Sequence, residues 1–263
     1  MPASDLSHEL EVATAAARAA GVIQVERYER LERIVHKSEK DVVTEVDHLS
    51  EEAILAAIGK AFPGDAFLAE ESGVSGPKVS RVWVIDPLDG TVNYANGIPF
   101  FAVSIGLVID AEPVLGVVLD PLRDELFSAT RGGGAFLDGT AIRIPGKERL
   151  IDAVVHLGLP RSGFERQNSA YRKAVRITRQ MGSSTLGLTY VANGRFDAYV
   201  QWQGLSPWDI CAAGVIAREG GAVITSQVGD SWFDVGMTTR SIGIVAAAPE
   251  HHAAYLGMLS EAG

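Results

Sequence analysis

The chain has 263 residues, of which 47% are hydrophobic, and a formal net charge of −10. This length predicts a large core in one or two closely packed domains, and the negative charge argues against a nucleic-acid surface, because phosphate contacts need clustered Lys and Arg. No apolar run approaches the roughly 20 residues that span a bilayer, and the acidic N-terminal segment does not have the basic and apolar parts of a signal peptide. We therefore expect a soluble protein that binds neither membrane nor nucleic acid.

Cysteine and histidine usage narrows the expected chemistry. The single cysteine, Cys211, excludes an internal disulfide framework and a cysteine-based zinc site, so a reducing cytoplasm is the expected location. Cys211 lies in an alanine-rich segment, where a small buried hydrophobic residue is expected. The six histidines show no His-x-x-x-His spacing and are expected at the surface or in packing roles.

Two helices are predicted at the start of the chain. Apolar and small residues recur with helical spacing from Leu6 to about Leu31, which predicts a long amphipathic helix. Thr44 is placed to cap a second helix, which ends before Phe62. Asp47 lies in the first turn of that helix, where a capping-box acid opposite Thr44 is the structural interpretation.

The segment from Trp83 to Thr91 reads Trp-Val-Ile-Asp-Pro-Leu-Asp-Gly-Thr and follows a first apolar strand that ends at Glu70. Pro87 removes a backbone donor and directs the chain out of the sheet. Asp86 and Asp89 are therefore delivered to the carboxyl end of a strand, where ligands commonly bind in α/β proteins. Asp-Pro and Asp-Gly are also ordinary turn formers, which is the alternative interpretation.

The remaining chain divides into two patterns. Residues 100–144 alternate or are apolar between turn signals, which predicts an antiparallel sheet. A short charged stretch at 146–150 is a candidate boundary between an N-terminal half, 1–146, and a C-terminal half, 147–263. The C-terminal half is predicted to alternate strands (153–157, 196–200, 222–225, 242–246) with helices (171–181, 184–193, 208–218 and a closing helix).

Three further acids, Asp47, Glu70 and Asp209, occur in contexts that turn chemistry does not require; Asp209, for example, lies between Trp208 and Ile210. Carboxylates that converge on one pocket repel each other strongly unless a cation neutralises them. Mg²⁺ prefers oxygen ligands, and two ions about 3.5 to 4 Å apart stabilise both the attacking and the leaving oxygen of an in-line displacement. The acids therefore indicate a metal-phosphate site.

At these segments the chain resembles the inositol monophosphatase family of Mg²⁺-dependent, lithium-sensitive phosphatases. Trp83 through Tyr94 matches the pattern Trp-x-Ile-Asp-Pro-hydrophobic-Asp-Gly-Thr-x-Asn-aromatic, and Trp208 through Gly221 matches Trp-Asp-x-x-x-Ala-Gly with a trailing Glu and glycines. The motifs extend over about residues 5 to 255. The resemblance implies an α+β fold, a layered α-β-α-β-α sandwich with the site at the junction of the halves, and a homodimer.

The resemblance also implies two or three Mg²⁺ ions per site. It assigns Glu70, Asp86 and the backbone carbonyl of Leu88 to the first ion. It assigns Asp86, Asp89 and Asp209 to the second ion, with Asp86 bridging.

Catalytic roles implied by the resemblance fall on Asp47, Thr91 and Glu70. The Thr91 hydroxyl, paired with Asp47, is expected to orient or deprotonate the attacking water, although Thr91 is also an ordinary helix cap. Gly90 and Thr91 are expected to begin a helix whose N–H groups receive the phosphate.

Substrate contacts are implied at Ser183, Ser184 and Asp209. The two serines follow Gly182, and hydroxyl residues at a helix start are also common caps. Counting back from Asp209 places Trp202 where the family has a substrate-contacting glutamate. This departure leaves the phosphatase chemistry in place but puts inositol in doubt as the preferred substrate.

The expected function is a Mg²⁺-dependent phosphomonoesterase acting on a small phosphorylated polyol or sugar, with inositol monophosphate first among the named substrates. Fructose-1,6-bisphosphate, histidinol phosphate and 3′-phosphoadenosine 5′-phosphate are the enzymatic alternatives, and a silent phosphate-binding regulatory protein is the non-enzymatic one. A Gly-x-x-x-x-Gly-Lys-Ser/Thr loop is absent. The spacing of Asp86 and Asp89 differs from the Asp-x-Asp-Gly-Thr signature of haloacid-dehalogenase-like phosphatases.

Overall fold

Two sheets and seven helices form the part of the chain that the computed structural model describes, residues 5–30, 34–38, 41–160 and 162–260. The helices are α1 (Ser7–Arg27), α2 (Glu45–Ala61), α3 (Thr91–Ala95), α4 (Glu165–Ala174), α5 (Ser184–Thr189), α6 (Pro207–Glu219) and α7 (Pro249–Ser260). A two-stranded ribbon, β1 (Ile34–Ser38) and β2 (Asp41–Thr44), precedes α2, and a short 3₁₀ turn covers Leu150–Asp152.

The first sheet has eight strands and belongs to the N-terminal half. Its strands are β3 (Ala66–Ala69), β4 (Gly73–Ser75), β5 (Arg81–Asp89), β6 (Ala102–Ile109), β7 (Glu112–Asp120), β8 (Glu125–Thr130), β9 (Gly134–Leu137) and β10 (Thr140–Ile142). Their spatial order is β10-β9-β8-β7-β6-β5-β3-β4. Strand β5 pairs in parallel with β3 and antiparallel with β6, and β6 to β10 form the antiparallel sheet predicted over 100–144.

The second sheet has five strands in the order β12-β11-β13-β15-β14. These strands are β11 (Val154–Gly158), β12 (Ile177–Arg179), β13 (Ala198–Leu205), β14 (Val223–Ser226) and β15 (Ile242–Ala247). Strand β11 pairs in parallel with both β12 and β13, so the carboxyl ends of these three strands meet at one edge.

The sheets and helices stack in five layers. Helices α1 and α2 cover the outer face of the first sheet through a core that includes Ala17, Ile54 and Trp83. Helices α5 and α6 fill the space between the two sheets, and α4 and α7 cover the outer face of the second sheet. This arrangement confirms the predicted α+β fold and its α-β-α-β-α sandwich.

Helix α6 lies unusually close to the first sheet because two glycines face it. A Cβ at Gly116 would lie 2.3 Å from the carbonyl oxygen of Ala212, and one at Gly106 would lie 2.5 Å from Sγ of Cys211. Cys211 itself is fully buried, as expected for a small apolar residue. The close approach fixes the start of α6, and therefore Asp209, relative to β6 and β7, which carry Gly106 and Gly116.

Several predicted boundaries are corrected by the structure. The predicted helix over 171–181 is wrong: α4 ends at Ala174, and Ile177–Arg179 is a strand because it pairs with β11. Only the first six residues of the helix predicted at 184–193 form α5, and α1 ends at Arg27. The division of the chain at 146/147 remains a prediction, and the core between the sheets draws residues from both sides of it.

None of the described helices combines the length and hydrophobicity needed to cross a membrane.

Candidate active site

A bulge at the end of β5 brings Asp86 and Asp89 to the same side of the sheet. Asp86 pairs with Ser104 and Asp89 with Ala102, so three steps along β5 match two along β6. Residues three apart on a regular strand face opposite sides, and the extra residue cancels that difference. Pro87, which has no N–H to give to the ladder, lies inside the bulge. The N–H of Leu88 donates to Oδ1 of Asp86 at 3.1 Å, which closes the turn.

The third acid of the cluster, Asp209, comes from the first turn of α6. Its Oδ2 accepts from the N–H of Ser206 at 2.6 Å in a capping box, and Pro207 lies at the start of the helix. Carboxylate oxygens of Asp86, Asp89 and Asp209 lie within 4.8 Å of one another. Folding therefore brings Asp209 to two acids that precede it by 120 and 123 residues in the sequence.

Glu70 joins the same group from the end of β3. Its N–H continues the parallel ladder to the carbonyl of Ile85 at 3.1 Å, and its carboxylate adds to the rise in the pKa of Asp86 that burial causes. The neighbouring Glu71 N–H donates to the buried carboxylate of Glu51 on α2 at 2.9 Å, which holds this turn against the helix.

Ionising all of the clustered acids together costs free energy, because burial and mutual repulsion both oppose it. Burial raises the pKa of Asp86 well above its usual range, and the charges of the neighbouring carboxylates raise it further. Burial likewise raises the pKa of Asp209, to which the charge of Asp89 adds. A group of oxygen donors that repel one another in this way fits hard divalent cations such as Mg²⁺, whose charge would favour the ionised forms.

Asp89 is oriented by donors from the start of α5. The hydroxyl of Ser183 and the N–H of Thr185 donate to Oδ2 (2.8 Å for Thr185), and the N–H of Ser184 donates to Oδ1 at 3.3 Å. Burial raises the pKa of Asp89, and these hydrogen bonds oppose the rise. The C-terminal half therefore holds an acid that the N-terminal half supplies.

Asp47 and Thr91 form a pair beside the acids. Oδ2 of Asp47 accepts from the N–H and the hydroxyl of Thr44, at 2.8 and 2.6 Å, in the predicted capping box. Oδ1 accepts from the Thr91 hydroxyl at 3.0 Å, and that hydroxyl also lies 3.0 Å from the carbonyl oxygen of Leu88. One carboxylate thus makes both the capping contacts and the Thr91 contact. Burial raises the pKa of Asp47 to about 6.

Gly90 connects β5 to α3 in a conformation that favours glycine. Its φ is 90°, and a Cβ there would lie 3.1 Å from the carbonyl oxygen of Phe100 and 3.3 Å from Cα of Phe101. Helix α3 begins at Thr91 as predicted, but it has only five residues. Its dipole is therefore smaller than that of a long helix, and local N–H groups would dominate any contact to a phosphate.

The family model for the inositol monophosphatase family matches residues 5–262. The chain belongs to the inositol monophosphatase family.

Individual members of the family carry different names. The chain is 40% identical to a protein of Pseudomonas aeruginosa named Nus factor SuhB, over 85% of this chain and 87% of the other. It is also 40% identical to the fructose-1,6-bisphosphatase/inositol-1-monophosphatase of Aquifex aeolicus, over 84% and 86%. The solved structure of the IMPase of Thermotoga maritima superposes with a TM-score of 0.88 at 30% identity and covers 97% of this chain and 98% of that chain. Membership places the chain among metal-dependent phosphatases acting on small phosphorylated compounds.

The residues predicted as substrate contacts lie in different places: Ser183 and Ser184 contact Asp89, whereas Trp202 packs on Phe164. Ser183 is fully buried and acts as the cap of α5, because its hydroxyl accepts from the N–H of Leu186 at 3.2 Å while donating to Asp89. Ser184 is half-buried at the same helix start. The Trp202 indole instead packs on Phe164, at 5.1 Å between ring centroids, and on the core shared with α4 and α7. Its prediction as a substrate contact gains no support from this packing.

Some residues that hold the site were not predicted. Gln24 of α1 is fully buried and donates from Nε2 to the carbonyl of Pro87 at 2.7 Å. This hydrogen bond joins the bulge of β5 to α1. The Thr185 hydroxyl donates to the backbone carbonyl of Asp209 at 3.1 Å and so joins α5 to α6. A polar residue on the apolar face of α1 was the available signal for Gln24, and the hydroxyl run after Gly182 was the signal for Thr185.

Proposed function

We propose that the chain is a Mg²⁺-dependent phosphomonoesterase for a small phosphorylated polyol or sugar, with inositol monophosphate as the first substrate to test. The observation that carries the proposal is the convergence of carboxylate oxygens of Asp86, Asp89 and Asp209 within 4.8 Å of one another. The oxygen-only donor set supports two or three Mg²⁺ ions.

We take the ligand roles from family membership. Glu70, Asp86 and the carbonyl of Leu88 would hold one ion, and Asp86, Asp89 and Asp209 would hold a second. When bound, the ions supply positive charge to the phosphoryl oxygens and lower the pKa of the attacking water.

Asp47 and Thr91 supply the proton acceptor. Asp47, with a pKa of about 6, is ionised at neutral pH and accepts a hydrogen bond from Thr91. We assign Thr91 to take a proton from the attacking water while passing its own proton to Asp47. The oxygen of that water then forms a bond to phosphorus as the ester P–O bond breaks. The departing alkoxide takes a proton from solvent water and leaves as the alcohol, and Asp47 afterwards returns its proton to solvent.

Substrate recognition is assigned to groups near the cluster. Backbone N–H groups at Gly90 and Thr91 would contact the phosphate, and Ser184 and Asp209 would contact the substrate beside it. For the polyol hydroxyls we favour Gln201 over Trp202, because the carboxamide of Gln201 lies against Gly158 at the carboxyl end of β11. A carboxamide both donates and accepts hydrogen bonds.

The proposal is tested by phosphate release from inositol monophosphate, fructose-1,6-bisphosphate, histidinol phosphate and 3′-phosphoadenosine 5′-phosphate, with Mg²⁺ and then with added Li⁺. We expect turnover of at least one member and inhibition by Li⁺. Asp89→Asn should lower turnover by roughly a hundredfold, which corresponds to about 3 kcal/mol of transition-state stabilisation. Asp120→Asn, which changes a buried aspartate bound to Arg123 outside the site, should leave turnover nearly unchanged.

A regulatory role is the second candidate, because the Pseudomonas aeruginosa relative is named a Nus factor. A folded wild-type protein that hydrolyses no member of the panel would overturn the phosphatase and favour this candidate. Efficient cleavage of another member with inositol monophosphate ignored would correct the substrate alone. A homodimer is proposed from family membership, and sedimentation of the purified chain tests it.

A further inference from the structure

The backbone of Met181 is hydrogen-bonded to side chains of two distant elements. Its N–H donates to Nε2 of His156 on β11 at 3.2 Å, and its carbonyl accepts from Nδ2 of Asn93 in α3 at 2.8 Å. The next residue, Gly182, has a φ of 82°, and a Cβ there would lie 2.8 Å from Oδ1 of Asn93. The segment Met181–Thr185 is therefore anchored immediately before the residues that donate to Asp89.

The His156 ring is fixed by its packing. It is 3% exposed, stacks on Tyr199 at 4.7 Å and 20°, and meets the ring of Phe196 nearly edge-on at 5.6 Å. On the side of α5, a Cβ at Gly187 would lie 3.0 Å from Cδ2 of His156. These neighbours leave the ring little freedom, so its Nε2 marks a defined position for the Met181 N–H.

The protonation state of His156 allows its Nε2 atom to accept the hydrogen bond from the Met181 N–H. Because Nε2 accepts from Met181, the neutral ring carries its hydrogen on Nδ1. Nδ1 is buried and has no hydrogen-bond partner within the described ranges. Burial lowers the pKa of His156 to about 4, so Nε2 remains an acceptor at neutral pH. A phenylalanine would fill much of the same volume without a buried unpaired donor, so packing alone does not account for a histidine here.

We infer that His156 is a positioning residue of the candidate active site, which fixes the Met181–Thr185 segment and through it orients the Asp89 carboxylate. The inference rests on the proposed role of Asp89 as a metal ligand. The path is short: the His156 contact sets the Met181 peptide, Gly182 turns the chain, and Ser183, Ser184 and Thr185 then donate to Asp89.

Two measurements that need no turnover test the inference. The first is amide hydrogen exchange over residues 181–187 in metal-free protein, and the second is Mn²⁺ affinity by calorimetry. In His156→Phe we expect roughly tenfold faster exchange in this segment and about tenfold weaker Mn²⁺ binding, as for other residues that support metal ligands indirectly. His156→Gln should restore both towards wild type, because its side-chain oxygen can accept the Met181 N–H. His252→Phe, which alters a second buried histidine bonded to Thr225 and Val245, should change neither.

Unchanged exchange at 181–187 or unchanged Mn²⁺ affinity in His156→Phe would overturn the inference, even if the melting temperature fell, because His156 would then serve packing alone. Equal defects in the Phe and Gln variants would also overturn it, since the acceptor would not matter. His156→Leu takes the place of His156→Phe if the latter does not fold. Absence of phosphatase activity in wild type and in all variants would contradict the proposed function. The hydrogen-exchange and Mn²⁺-affinity measurements would still test the inference about His156.

Discussion

Asp47 makes the capping contacts of α2 and is also the residue that we propose as proton acceptor. In metal-free protein, burial raises its pKa from 3.8 to about 6. The folded state then binds more protons than the unfolded state between these pH values, so the stability contribution of Asp47 is lost as pH rises through this window. About two pKa units correspond to a cost of about 3 kcal/mol that is fully present above about pH 6.

Asp47→Asn should therefore change the pH dependence of folding. The amide can still accept from Thr44 and can donate to Thr91, but it does not titrate. Relative to wild type, the free energy of unfolding of the variant should rise by about 2 kcal/mol between about pH 4.5 and about pH 7. Urea unfolding in the presence of a chelator measures this difference. A gap between the two proteins that stays constant with pH would show that Asp47 is not held with a raised pKa.

The β5–α3 connection shows how one element boundary shapes the site. Gly90→Ala should lose about 1 to 2 kcal/mol for its positive φ and a further 1 kcal/mol or more because backbone atoms of Phe100 and Phe101 lie 3.1 and 3.3 Å from the added Cβ. Gly139→Ala is the matched control, since Gly139 has a φ of 75° and nothing within 4 Å. Urea unfolding should show a larger loss of unfolding free energy for Gly90→Ala than for Gly139→Ala. Equal losses would show that crowding against Phe100 and Phe101 does not contribute.

Element boundaries also show where sequence patterns were sufficient. Thr44 and Asp47 predicted the start of α2, because this signal is local. Pro87 was expected to direct the chain out of the sheet, and this was wrong: β5 continues through a bulge to Asp89, which pairs with Ala102. Strand β12 was mistaken for helix since its conformation depends on pairing with β11, where Ile177 lies opposite Val154. The donors to Asp89 lie 94 to 96 residues further along the chain, so no local pattern joins them to it.

At the scale of the whole molecule, the candidate site is formed by residues from different layers of the fold. The first sheet supplies Asp86 and Asp89, and the helices between the sheets supply Asp209 and the Ser183 cap. The motifs predicted which acids would meet. They could not predict that Trp202 packs towards α4, because a register shift separates Gln201 from Leu205 on β13.

Because the acids come from separate layers, a divalent cation should stabilise the whole fold. Binding to the native state alone adds about 2.7 kcal/mol at a concentration 100 times Kd, which for a chain of this size raises Tm by roughly 5 to 10 °C. Melting of wild type should therefore shift upward with MgCl₂ beyond an NaCl control of equal ionic strength. Asp86→Asn should lose most of this shift and Asp120→Asn should retain it. A wild-type Tm that is insensitive to Mg²⁺, or an Asp86→Asn response equal to wild type, would show that the clustered carboxylates do not bind the ion.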